Sequence, residues 1–244
     1  MKKHNNDYRG SGKEVWQELE RVIAQGHSRH KVFTDWLDMM LNAHLSLTDN
    51  IKRHGVAVLE KVKSNSLDGV YEERYLKIVR TYASDKPQGQ RPVDYFAKAT
   101  ALLQLEIQET GRDVLGNIYE GCITFGEHGQ FFTPEHVADM VSAITGKVEG
   151  SVLDPACGSG RMLLCAHRQN PSAILYGTDL DERCAKMCAL NMVMFGCNAV
   201  IFWGDSLAMK NYCQWEISSN GLITEHEVKE QLREFGQGEL PLAA

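Results

Sequence analysis

The run Ser151-Val152-Leu153-Asp154-Pro155-Ala156-Cys157-Gly158-Ser159-Gly160 constrains the fold more than any other stretch of this chain. Residues of strand character end at an acid and a proline. Two glycines then permit backbone angles that residues with a Cβ avoid, and a helical pattern begins near Arg161. A strand that turns through glycines into a helix opens a βαβ unit. The alternation continues, with a helix expected at 160–169, a strand at 173–178, a helix at 181–195 and a strand at 199–203. Right-handed βαβ units of this kind build a parallel sheet. The turn also sets backbone N–H groups at a helix N-terminus, where a ligand's carboxylate or phosphate can be met.

Before residue 150 the chain reads as helix only. Trp16, Leu19, Val22 and Ile23 form one apolar stripe, and Val32, Phe33, Trp36, Leu37, Met40 and Leu41 form a second. Further helices are expected over 51–63, 67–83, 93–109 and 112–125, with a loop at 84–92 marked by two prolines and a glycine. Thr133 as N-cap and Pro134 at the first helical position predict a helix to about Thr145, stopped by Gly146. Thr224 with Glu227 forms a capping box, which predicts a last helix over 225–235. The expected organisation is a helical domain over 1–110 and an α/β domain over 111–244.

Composition narrows the function classes. No apolar run is long enough for a membrane span and the N-terminus lacks a signal-peptide core, so a cytoplasmic protein is expected. The seven cysteines do not form the even, regularly spaced framework of a disulfide-stapled domain. Cys184 and Cys188 share a helical face, but no second pair or neighbouring histidine completes a metal site. They read as buried small side chains, and no metal is expected. Residues 1–90 carry 15 basic and 12 acidic side chains, against 11 and 20 in 91–244. An acidic second half is not the basic surface of a stand-alone nucleic-acid binder.

Ligands of open parallel sheets bind at the carboxyl ends of the strands. Asp154, Asp179 and Asp205 stand at three successive strand ends. An acid at the second end suits a ribose diol, and a polar group at the third suits an adenine amino group. A dinucleotide needs G-x-G-x-x-G directly after the strand, whereas here the acid precedes the glycines and the third glycine is missing. That spacing disfavours a pyrophosphate and leaves room for the charged end of an amino acid.

Asp154-Pro155-Ala156-Cys157-Gly158-Ser159-Gly160, preceded by Gly129-Gln130-Phe131-Phe132-Thr133-Pro134, resembles the adenine-N6 DNA methyltransferases, and most closely the modification subunit of type I restriction–modification systems. The likeness runs from Leu115-Gly116-Asn117-Ile118-Tyr119-Glu120 to Gly204-Asp205-Ser206-Leu207. It implies a Rossmann-like, S-adenosylmethionine-dependent methyltransferase sheet behind a helical domain. It also implies S-adenosylmethionine as cofactor, with Phe131, Phe132, Thr133 and Pro134 at the methionine end. Asp154, Ala156, Gly158, Ser159 and Gly160 would form the floor, Asp179 and Leu180 would hold ribose and adenine, and Asp205 and Ser206 would meet the adenine amino group.

Enzymes of that family end a fourth strand in Asn-Pro-Pro and an aromatic residue, which together hold a flipped-out adenine by its amino hydrogens and its ring face. The sequence contains no Asn-Pro-Pro. A degenerate version would put Asn220 in the catalytic place, within Gln214-Trp215-Glu216-Ile217-Ser218-Ser219-Asn220-Gly221-Leu222. The sheet is therefore expected to be incomplete. Two readings follow: a DNA adenine methyltransferase or a part of one, whose missing elements and DNA contacts come from a partner subunit or a second copy, or a catalytically inactive cofactor-binding protein that acts by interaction.

Overall fold

In the computed structural model of the chain, residues 10–124 and 132–227 are described. The helical half begins with α1 (Lys13–Ile23), which buries Val15, Trp16, Leu19 and Val22. Next comes α2 (Arg29–His54), whose N-cap Ser28 accepts from the Lys31 N–H and whose last turn carries Lys52, Arg53 and His54 against the helix dipole. The separate helix expected over 51–63 is instead the end of α2, a 3-10 turn at Gly55–Ala57, and the short α3 (Val58–Lys63). Gly55 accounts for the break, since it caps α2 with a positive φ of 55°. After α4 (Val70–Thr81), α5 (Pro92–Thr110) starts on a proline and stops at Gly111, which takes the left-handed conformation. The short α6 (Val114–Ile118) runs into a π-helical turn at Tyr119–Thr124. The helix α7 (Glu135–Thr145) starts one residue later than expected, with Pro134 as its N-cap, and ends at Gly146 as expected.

From 150 onward the expected alternation is present: β1 (Ser151–Asp154), α8 (Arg161–Gln169), β2 (Ile174–Asp179), α9 (Glu182–Met194) and β3 (Asn198–Asp205). These three strands are parallel and adjacent, with Leu153 opposite Tyr176 and Tyr176 opposite Val200. The sheet continues with β4 (Lys210–Ile217) and β5 (Ile223–Glu227), both antiparallel to their neighbours, in the order β1-β2-β3-β4-β5. The fold is thus mixed α/β and Rossmann-like in its parallel part.

The expected capping helix does not start at Thr224. Residues 223–227 are a strand, because pairing with β4 and tertiary bonds outweigh the local cap. Ile223 is buried and its N–H donates to Thr48 Oγ1 of α2. Glu225 accepts from Arg74 of α4 and from Trp215 Nε1 of β4. The remainder of the span expected as helix, from residue 228, lies outside the described residues.

One continuous apolar core joins the two halves. It runs from Trp16, Phe33 and Trp36 through Val114, Leu115 and Tyr119 to Leu175, Ile201 and Trp215. The long α2 is the bridge, since it packs on α4, α9 and β5, and Asp38 on it pairs with Lys186 of α9 at 2.6 Å. Among the described residues the sheet is buried on this side only. On its other side Leu153 is 67% and Ile174 46% exposed, with Tyr176, Val200 and Phe202 half-buried.

Candidate cofactor site

The glycine turn lies at the carboxyl end of β1 and is drawn against the end of β2. Asp179 closes β2 and accepts from the Gly158 N–H at 2.8 Å and the Asp181 N–H at 2.9 Å. Cys157 N–H donates to the Thr178 carbonyl, Gly160 N–H to the Cys157 carbonyl, and Ala156 N–H to Asp154 Oδ1. The turn's amides at 156, 157, 158 and 160 are thus spent inside the protein. These four amides are not available to an anion, and the Asp154 and Asp179 carboxylates stand beside them. Burial pushes Asp154 and Asp179 above the ordinary aspartate value, and backbone N–H donors only partly offset it. Such a floor favours a ligand that carries positive charge and hydroxyl groups over a polyphosphate.

The second wall comes from the residues before α7. Phe132 lies over the turn, so that a Cβ on Gly158 would come 2.7 Å from its ring, and Gly158 itself has a φ of +54°. Phe132 in turn packs on Tyr119 at 5.7 Å between centroids. The structure therefore brings together two segments that are about 20 residues apart in sequence. We predict that Gly158→Ala forces Phe132 aside at a strained φ, costing about 1–2 kcal/mol of stability. Thermal denaturation checks this, and an unchanged melting temperature would contradict the close approach.

The other expected residues fall as follows. Asp205 ends β3 at the same edge, and its Oδ1 accepts from the Leu207 and Ala208 N–H groups, closing the turn that carries the exposed Ser206. Leu180 is 65% exposed beside Asp179, an apolar surface available to a flat ring. Thr133 and Pro134 follow Phe132 into α7, and Phe131 lies outside the described residues. Ser159 faces inward, 1% exposed, so its side chain belongs to the turn's support and not to its ligand face.

Asn220 requires a correction. It sits in the turn between β4 and β5, where its Oδ1 accepts from Ser218 Oγ and the Leu222 N–H. That turn is tied to Asn198 at the start of β3, by the Ser219 N–H. Asn220 therefore lies at the amino ends of the parallel strands, opposite the glycine turn, and cannot act on a ligand held there. Cys184 and Cys188 are buried in α9 with thiols pushed up by burial. Among the described residues no His, Cys, Asp and Glu cluster could hold a metal.

Three contributors escaped the sequence reading. Trp203 Nε1 donates to the Leu180 carbonyl at 3.2 Å and packs on Tyr212, which braces the segment after β2. Asp181 caps α9 and accepts from Tyr119 Oη at 3.4 Å. Asp113 accepts from Ser159 and Arg161 beneath the turn. Only Asp181, an acid directly before a helical pattern, carried a local signal.

The raised carboxyls give a sign to pH dependence. Asp154 and Asp179 hold their protons more tightly than free aspartate near 3.8, so on acidification they lose charge earlier. Affinity for a cationic, hydroxyl-bearing ligand is expected to fall on acidification at a pH above the ordinary aspartate range, with protons released on binding where these carboxyls titrate. Calorimetry in buffers of different ionisation enthalpy measures this, and a flat affinity would contradict it.

Residues 110–222 match the N-6 DNA methylase family. The chain is 29% identical over 160 residues to the methylase subunit of the type I restriction enzyme MjaVIII of Methanocaldococcus jannaschii, covering 61% of this chain and 25% of that one. It is 28% identical over 133 residues to the EcoEI methylase subunit of Escherichia coli, covering 46% and 27%. The type II restriction enzyme and methyltransferase RM.BcgI of Heyndrickxia coagulans is 28% identical over 129 residues, covering 43% and 20%. The chain thus aligns with about a quarter of the length of these relatives. Among solved structures, the type I methyltransferase subunit from Streptococcus thermophilus aligns over 77% of this chain and 57% of its own, at 16% identity and a TM-score of 0.41. The matched region spans β1 to β4 with the glycine turn inside it, and over residues 110–222 the chain is similar to the N-6 DNA methylases, with type I methylase subunits among its relatives.

Proposed function

We propose that this chain binds S-adenosylmethionine at the carboxyl ends of β1, β2 and β3 and serves as the cofactor-holding part of a DNA adenine-N6 methyltransferase. The observation that carries the reading is the joint between Phe132 and Gly158, locked from below by Asp179. The residues fit this cofactor. Its ammonium and sulfonium charges suit a floor of carboxylates and spent amides, and its ribose hydroxyls can donate to lone pairs that Asp179 keeps free after two backbone bonds. Its adenine can lie on Leu180, with Asp205 and Ser206 beyond it. Bound there, the cofactor supplies an electrophilic methyl group. Asp154 and Asp179 orient it, and Phe132 excludes water from one side.

The base-holding part is proposed to come from a second polypeptide, a partner subunit or another copy. Two features support this. The sequence has no Asn-Pro-Pro, and Asn220 points away from the site. Among the described residues no helix covers one face of the parallel strands, where such sheets are ordinarily covered on both. DNA contact through that partner and a cytoplasmic setting belong to the same proposal. Among the described residues no helix is long and apolar enough to cross a membrane. The alternative, a cofactor-binding protein that never methylates, rests on the same position of Asn220.

The test is transfer of tritiated methyl from S-adenosylmethionine to unmethylated DNA by the purified chain, alone and with proteins that co-purify with it. Transfer only in the presence of a second protein supports the divided enzyme. Transfer by the chain alone overturns it, and none in either case supports the alternative.

A further inference from the structure

The segment from Asp113 to Tyr119 has no part in the ligand contacts above, yet Asp113 is 2% exposed and lies directly beneath the glycine turn. Its Oδ2 accepts from Ser159 Oγ at 2.5 Å and from Arg161 Nε at 3.2 Å, with Arg161 Nη2 3.1 Å away in the ion pair. Its Oδ1 accepts from the Gly116 N–H at 2.8 Å, which caps α6, and from Asn191 Nδ2 of α9 at 2.8 Å. The same Asn191 nitrogen donates to the Ser159 carbonyl at 2.8 Å, so the turn is held by both its backbone and its side chain. One buried carboxylate thus ties together α6, the turn, the start of α8 and the middle of α9.

Arg161 extends the constraint to the other wall. It is 6% exposed; its Nη1 donates to the Thr133 carbonyl at 2.7 Å, and Nη2, which also faces Asp113, donates to Asn117 Oδ1 at 2.9 Å. Thr133 follows Phe132, the residue that lies over Gly158. Gly116 is required at its place because a Cβ there would overlap Asp113 Oδ2 and Ser159 Oγ. A planar guanidinium with several donors fits three acceptors at once, which a lysine ammonium on a flexible stem does not reproduce.

We propose that Asp113 is a positioning residue for the cofactor turn: with Arg161 it fixes the distance between the turn at 158–160 and the Phe132-Thr133 wall, so that both sides of the site are set by one buried ion pair. This rests on the reading of that turn as the S-adenosylmethionine floor. Removing the charge while keeping the shape loosens both walls, because Arg161 loses its counter-ion and Ser159 its strongest acceptor.

The test uses the full chain with Asp113→Asn, Ser159→Ala, the double variant and Arg161→Lys. The readouts are calorimetric titration with S-adenosylmethionine and amide hydrogen exchange without ligand. The expected result for Asp113→Asn is tenfold or greater weakening of binding, with faster exchange at both 156–160 and 132–134 while β2 and β3 stay protected. Ser159→Ala, which removes one hydroxyl and folds even if Asp113→Asn does not, is expected to speed exchange in the turn. The double variant should be no worse than Asp113→Asn, and Arg161→Lys should loosen 132–134 more than the turn. Unchanged exchange at both walls in variants that fold would overturn the positioning role, as would additive losses in the double variant. If the unaltered chain binds no S-adenosylmethionine but exchange still changes as described, the cofactor reading fails and the positioning role stands.

Discussion

Asp179→Ala weakens S-adenosylmethionine binding by about 1–3 kcal/mol, roughly five- to 150-fold in Kd. Two losses combine in that figure. The ribose hydroxyls lose a charged acceptor, and the Gly158 and Asp181 N–H groups lose the oxygens that hold the turn against β2. Asp179→Asn keeps one carbonyl oxygen and is expected to fall between the two. Equal affinity for Asp179→Ala and the unaltered chain, by calorimetry, would remove Asp179 from the site.

Trp36→Ala is expected to cost about 3–5 kcal/mol of stability, the usual range for deleting a large buried aromatic. Trp36 is fully buried on α2, and its Nε1 donates to Thr100 Oγ1 of α5 at 2.9 Å. Phe33 packs on it at 6.0 Å and also on Tyr119 at 5.6 Å, which connects it to the Phe132 ring over the glycine turn. Because the core is continuous, the helical half and the sheet should lose structure together in one denaturant transition. Two separated transitions, or a cost below about 1 kcal/mol, would contradict the shared core.

The parallel part of the fold was legible because its signals are local. The strand-turn-helix at 151–169 and the spacing of the next two strands follow from periodicity, glycine and charge, and the observed boundaries fall within two residues of the expected ones. The hairpin of β4 and β5 was not legible. Thr224 and Glu227 compose a sound local cap, and only the contacts of Ile223 with Thr48 and of Glu225 with Arg74, each more than 150 positions apart, turn the segment into a strand. Asn220 misled for the same reason, since its distance from the turn is a matter of strand direction, which composition does not reveal.

At the site, sequence order identified the acids at the strand ends but not how they are used. The 154–160 turn reads as an anion-binding nest, yet its amides are consumed by Asp154, Asp179 and neighbouring carbonyls. Side-chain carboxylates 25 residues apart decide this, and no local pattern announces them. The same holds for Asp113, whose partners Ser159, Arg161 and Asn191 lie 46, 48 and 78 positions away.

The most direct measurement of the central claim is a calorimetric titration of S-adenosylmethionine into the purified chain at neutral pH, beside a nicotinamide dinucleotide as a polyphosphate control. One saturable site per chain is expected for S-adenosylmethionine, lost or strongly weakened in Asp179→Ala, and no heat of binding for the dinucleotide. Absence of S-adenosylmethionine binding, or preference for the dinucleotide, would contradict it.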